Sequence, residues 1–226
     1  MAITLDLSSE AKEYVDEANR ASDPAWSSWL AFLLLLTYVV VTLAGVSHKA
    51  LLLNSPVKLP IINADIPLVG FFQYAPLLFL LVYLSLLVQH VILARKYRKF
   101  TDAIAPYEIE TGSQHPARER VQSYVFSQML AGPQPNLITK FMMQLIVYVT
   151  FSVLPIITLL YFQIKFLPYH DVSVTYWHRI AVILGFAMLI LLTPLMQNTG
   201  PARRKWDIKV GPQAAAWEAS GTRVLL

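Results

Sequence analysis

Four uncharged hydrophobic blocks divide the chain, at about 29–46, 71–94, 141–164 and 180–196. At about 1.5 Å per helical residue, each covers close to the roughly 30 Å of a bilayer's hydrocarbon core. Within a block the apolar residues run continuously instead of recurring as a stripe. That pattern fits a helix surrounded by lipid better than one packed on a soluble core. The fold class this predicts is all-α, a polytopic membrane protein with four transmembrane helices.

The polar stretches between the blocks differ in kind. Residues 1–23 read as an amphipathic helix, with Leu7, Ala11, Tyr14, Val15 and Ala18 at helical spacing over 7–21 and an acidic opposite face. Acidic residues disfavour anionic lipid, so this helix is expected to pack on the protein's own cytoplasmic face. Asp23-Pro24 is expected to end it and start the first span, Asp as N-cap and Pro at the first helical position. Trp26 and Trp29 then stand at interfacial depth. Residues 24–196 form the membrane domain. Inside it, 47–70 is an apolar, proline-broken outer connection, and 95–140 a polar cytoplasmic loop with a short helix over 117–130. The tail, 197–226, is expected to be loosely ordered. Pro76 is read as lying in the first turn of span two. Pro155 falls in the middle of span three, where its ring should kink the helix and leave the Phe151 carbonyl without its usual partner.

Charge orients the bundle. Of the 18 Lys and Arg residues, 14 fall in 1–28, 95–140 and 197–226, and four in the other connections. Basic residues accumulate on the cytoplasmic side, so both termini are expected inside, N-in/C-in. The strongest marker is Arg95-Lys96-Tyr97-Arg98-Lys99, directly after span two. The acidic first 28 residues do not read as a cleavable signal peptide. Only 14% of the residues are charged and 56% are hydrophobic, which excludes an ordinary water-soluble surface. The net charge of +4 is accounted for by juxtamembrane basic residues facing anionic lipid, so nucleic acid is not an expected partner. The chain has no cysteine, which excludes disulfides, thiolate metal sites and thiol catalysis.

Few residues carry candidate chemistry. His48, His170, Asp171 and His178, with Asp65, fall on the predicted outer side and are the weak metal candidates. The plainer reading makes them hydrogen-bonding glue of one ordered cap formed by the two outer connections, 47–70 and 165–178. Ser85, Gln89 and His90 near the inner end of span two, and Gln144 at similar depth on span three, are candidate interhelical or pore-lining groups. No Asp, Glu, Lys or Arg lies within a span, which argues against an ion-coupled carrier. No phosphate-binding loop, nucleophile elbow or zinc-helix motif is present.

Two stretches are more specific. The first runs Ser47-His48-Lys49-Ala50-Leu51-Leu52-Leu53-Asn54-Ser55-Pro56-Val57-Lys58-Leu59-Pro60, then Pro67-Leu68-Val69-Gly70-Phe71-Phe72 and Ala75-Pro76-Leu77-Leu78-Phe79. The second is Phe166-Leu167-Pro168-Tyr169-His170-Asp171, followed by Thr175 and Trp177-His178-Arg179. Over roughly 25–195 the chain resembles the membrane module of bacterial pentapeptide-repeat-containing proteins. It departs from them after Met196, where their A-(D/N)-L-x-x repeats would follow. The one similar five-mer, Ala64-Asp65-Ile66-Pro67-Leu68, stands elsewhere. The resemblance implies a multi-pass protein of the bacterial inner (plasma) membrane and supplies no catalytic residues.

The expected function is a non-enzymatic membrane anchor, assembly or signalling module. The alternative is a small oligomeric channel or transporter. No catalytic residue, cofactor or resident metal is expected. The expected partners are the lipid bilayer and, beyond it, a second copy of the chain or a cytoplasmic protein.

Overall fold

The computed structural model describes residues 2–53, 56–58 and 65–197. Four helical segments within them are long and apolar enough to cross a membrane, and the chain is a multi-pass helical membrane protein. The elements are α1 (Ala2–Gly45), α2 (His48–Leu52), β1 (Pro56–Lys58), β2 (Asp65–Pro67), α3 (Leu68–Thr111), α4 (Val125–Ala131), α5 (Leu137–Tyr148), α6 (Leu154–Phe166) and α7 (Val172–Gln197). Single 3-10 turns occupy Pro116–Arg120 and Leu167–Tyr169, and a π-turn at Val149–Val153 joins α5 to α6. The small β1–β2 hairpin is antiparallel, with Pro56 opposite Pro67 and Lys58 opposite Asp65.

Two helices of 44 residues, α1 and α3, form the axis of the molecule and pack on each other more extensively than any other pair. At about 1.5 Å per residue each is roughly 66 Å long, twice the hydrocarbon thickness. The expected break at Asp23-Pro24 does not occur: α1 runs through Pro24. An interior proline costs a helix about 3 kcal/mol or more. Tertiary packing outweighs it here. Ala11, Val15, Ala18, Ser22 and Ala25 repeat at steps of three and four, and all are buried. Their small side chains allow close approach, and straightening the path at Pro24 would be needed to keep them on one face. The separate 1–23 helix is therefore the first half of α1.

Span two likewise does not end the helix it belongs to. The basic run after Ala94 changes the character of the surface, while α3 continues through Pro106 to Thr111, its buried residues Tyr97, Phe100, Ile104 and Glu108 recurring at steps of three and four. It stops where Gly112 adopts a left-handed φ of 67° and its N–H closes on the Glu108 carbonyl. Pro76 therefore lies two turns inside α3 and not in a first turn. The polar loop begins only at Gly112, and the single helix expected over 117–130 is a 3-10 turn followed by α4.

Polar contacts and aromatic rings gather across the bundle at the level of the basic run. The Lys96 ammonium is 3.0 Å from Glu17, and the Tyr97 hydroxyl donates to Asn19 Oδ1 at 2.9 Å. Trp26, Trp29 and Tyr124 cluster at this level with ring centroids 5.2–5.9 Å apart. They form the amphipathic aromatic layer that suits a membrane boundary. On the far side of the bundle α6 and α7 cross tightly at Gly185, where an added Cβ would come within 2.9 Å of Leu159 Cδ1. Small residues at such crossings drive helix association in lipid, where the hydrophobic effect does not.

The described parts of the two outer connections do meet. The α2 helix, capped by Ser47, touches the Leu167–Tyr169 turn, and Lys165 donates to the Val46 carbonyl at 3.2 Å. Asn54, Asn63 and the tail 198–226 lie outside the described residues.

Candidate functional site

The polar groups of the membrane domain gather around the π-turn of span three. Pro155 has no N–H, and in a regular helix its ring would collide with the Phe151 carbonyl four residues back. The chain resolves this with one wide turn, the Leu154 N–H closing on the Val149 carbonyl five residues earlier. The carbonyl left over does not stay bare. Tyr83 on α3 donates its hydroxyl to Phe151 O at 2.6 Å, and both residues are buried. The distortion expected at Pro155 thus takes the form of a π-turn, and Tyr83 satisfies the group it orphans.

His90 lies two turns further along α3 and is fully buried. Its Nδ1 is 2.8 Å from the Leu86 carbonyl, which can only accept, so Nδ1 carries the hydrogen. Nε2 is then the acceptor for the Tyr124 hydroxyl at 2.7 Å. Burial pushes the Tyr124 phenol above its ordinary range and keeps it a donor. The ring is held edge-to-face by Phe151 at 4.6 Å and Phe126 at 4.9 Å. His90 therefore fastens the segment before α4 to the bundle. Ser85 is exposed, Gln89 is half-buried, and Gln144 is exposed on α5. The structure does not bring these four residues together, and Gln144 is no partner of His90.

Gln144 faces a cavity of about 470 Å³ between α3, α4, α5 and α7, with Leu87, Phe126 and Met196 among its walls. A second hollow of about 610 Å³ continues from it between α6 and α7, lined by Ile156, Ile157, Phe186 and Ile190. Both include Tyr148, Ser152 and Thr193.

Among the described residues no group of three or more His, Asp and Glu residues is placed to hold an ion. His178 is 1% exposed and donates from Nε2 to the Phe72 carbonyl at 2.7 Å, its ring enclosed by Phe72, Phe162 and Phe166. Asp171 caps α7, accepting the N–H groups of Ser173 and Val174 at 2.9 and 3.2 Å. His170 is exposed, with a left-handed φ of 59°, and its Nδ1 reaches only the nearby Pro168 carbonyl. His48 opens α2 on the exposed surface. His170 and Asp171 thus serve their own turn, His178 bonds a carbonyl of α3, and the Lys165 bond to the Val46 carbonyl ties the ends of the two connections together.

Three positions that sequence reasoning passed over hold the extramembrane half together. Asn19 donates to the Arg120 carbonyl at 2.7 Å and accepts from Tyr97 Oη and Gln122 N, linking α1, α3 and the 3-10 turn. Its place on the buried stripe of α1 was the available signal. Glu108 and Arg118 form a buried two-pronged ion pair at 2.6 and 2.8 Å, and Arg118 also donates to the Ala131 carbonyl at 3.0 Å. Their separation of ten residues across the Gly112 turn matches no sequence pattern. Compared with known proteins, the chain matches no family model, no curated protein and no solved structure.

Proposed function

We propose that the chain is a non-enzymatic module of the bacterial inner membrane that anchors or assembles partners on its cytoplasmic side, with both termini in the cytoplasm. One observation carries this reading. The 22 residues 2–23 of α1 and the 17 residues 95–111 of α3 continue as a paired rod past the membrane boundary, for about 33 and 25 Å. Asn19, the Ser22–Ser127 hydroxyl pair at 2.7 Å and the Glu108–Arg118 ion pair brace that rod against 116–131. Such a rigid platform suits docking, and an insulated bundle needs nothing like it. The basic run Arg95–Lys99, with Lys12, Arg20, Arg118, Arg120 and Lys140 at the same end of the bundle, supports the cytoplasmic orientation. The resemblance to the membrane module of pentapeptide-repeat-containing proteins agrees with an anchoring role.

The channel or transporter reading has less support. Its candidate lining residues diverge: His90 is buried and doubly bonded, while Ser85 and Gln144 are exposed on different helices. Purified protein in sealed liposomes tests the choice. The anchoring reading expects ion and solute flux no higher than in empty vesicles. Flux that rises with protein and responds to Gln144→Leu would contradict it in favour of the channel.

A further inference from the structure

The hollows beside α7 form one lateral groove, because Tyr148, Ser152 and Thr193 line both. Its flank opens to the bilayer: Ile157, Phe186 and Ile190 are 55%, 47% and 71% exposed on the chain. An apolar flank alone says only that lipid touches it. Three further features define a ligand.

First, the groove carries polar groups that the protein leaves unused. Elsewhere in the spans Thr37, Thr42, Thr150 and Thr158 turn their hydroxyls back onto carbonyls one turn earlier. Among the described residues, the side chains of Gln144, Tyr148, Ser152 and Thr193 have no hydrogen-bond partner. Gln144, Tyr148 and Ser152 recur every fourth residue, with Thr193 opposite. Polar groups at membrane depth seek partners, and these are donors arrayed along an apolar trough.

Second, basic residues adjoin one end of the groove. Lys140 is exposed one turn before Gln144. Arg98 reaches the Leu195 carbonyl at 3.4 Å, beside the groove residue Met196. Third, the dimensions match. Gln144 to Ile157 spans roughly 20 Å, enough to cover the ~15 Å hydrocarbon depth of one leaflet.

We propose that this groove binds one acyl chain of an anionic phospholipid from the leaflet on the Lys140 side. The phosphate meets Lys140, and the ester carbonyls accept from Gln144, Tyr148 and Thr193. The chain lies along Ser152 toward Ile157 and Phe186.

Native mass spectrometry of the full chain in detergent, titrated with phosphatidylglycerol or with phosphatidylcholine of the same acyl chains, tests this. One phosphatidylglycerol should be retained per chain, severalfold more tightly than phosphatidylcholine. Lys140→Gln should cut that preference about fivefold, the value of one basic residue at an anionic surface. Thr193→Phe should remove the retained lipid. Equal retention of both lipids by the unaltered chain overturns the proposal, as does a Thr193→Phe chain that keeps its lipid. Should Thr193→Phe fail to fold, Lys140→Gln, exposed and conservative, decides alone. The competing occupant is a second copy of the chain. Since the protein has no cysteine, Ile190→Cys reports it cleanly: a disulfide-linked dimer formed in membranes would place a partner helix in the groove and overturn the lipid site.

Discussion

The hydroxyl of Tyr83 on α3 donates to the carbonyl of Phe151 at 2.6 Å, the very group that Pro155 deprives of its helical partner. Span three therefore takes up the proline in a π-turn, and the cost of the proline is offset by a neighbouring helix. The two residues lie 68 positions apart, so neither side of the bond has a local reason to form.

Because the bond exists on account of the proline, the two should be energetically coupled. Tyr83→Phe leaves a buried carbonyl unsatisfied and should cost about 1 kcal/mol, the usual scale for interhelical hydrogen bonds in membranes. In a Pro155→Ala background, where a regular helix re-forms, the same substitution should cost at least 0.5 kcal/mol less, on the order expected for directly coupled pairs. Thermal unfolding of the four proteins in detergent measures this. Identical costs in both backgrounds would break the link.

Glu108→Gln should destabilise the 112–131 segment by about 3–5 kcal/mol, because it leaves the buried Arg118 guanidinium without its counter-charge. Trypsin should then cut after Arg118 or Arg120 in folded protein that otherwise resists it. A Glu108→Met, Arg118→Leu pair should recover most of the loss, since two apolar side chains need no mutual neutralisation. Equal resistance of Glu108→Gln and the unaltered chain would show that the pair is not a clasp.

His170 holds a left-handed backbone at the end of a 3-10 turn. Asparagine tolerates this region and glycine has no Cβ to clash. His170→Asn and His170→Gly should therefore be close to neutral, while His170→Val should cost more than about 1 kcal/mol. A metal role predicts the opposite order of concern: stoichiometric metal in the purified protein, lost with either mild substitution. Elemental analysis alongside the melts separates the two.

What could be read in advance was set by solvent and by single residues. Uncharged blocks show where lipid must be, and Pro155 names the carbonyl it orphans, so both were legible. What could not be read depends on distant partners. Asp23-Pro24 has every local feature of a helix boundary, yet Val15, Ala18, Ser22 and Ala25 form a buried stripe across it, with Ser22 bonded to Ser127 of α4. Arg95 to Lys99 marks where the uncharged block ends, which is a different place from where α3 ends. His90 had an expected role at a helix contact, but its partner Tyr124 is 34 residues away, at the N-cap of α4 and outside any span. The outer histidines looked like one cluster because they share a side of the membrane. The turn at His170, the cap at Asp171 and the aromatic enclosure of His178 give each its own occupation.

The proposed function stands or falls on where the platform built from α1, α3 and 116–131 points. The chain has no cysteine, so single cysteines at Ser113 and Lys49, both exposed and on opposite ends of the bundle, can be labelled without background. In intact cells an impermeant thiol reagent should modify Lys49→Cys and leave Ser113→Cys untouched until the membrane is opened. Modification of Ser113→Cys in intact cells, with Lys49→Cys protected, would turn the platform away from the cytoplasm and contradict the account.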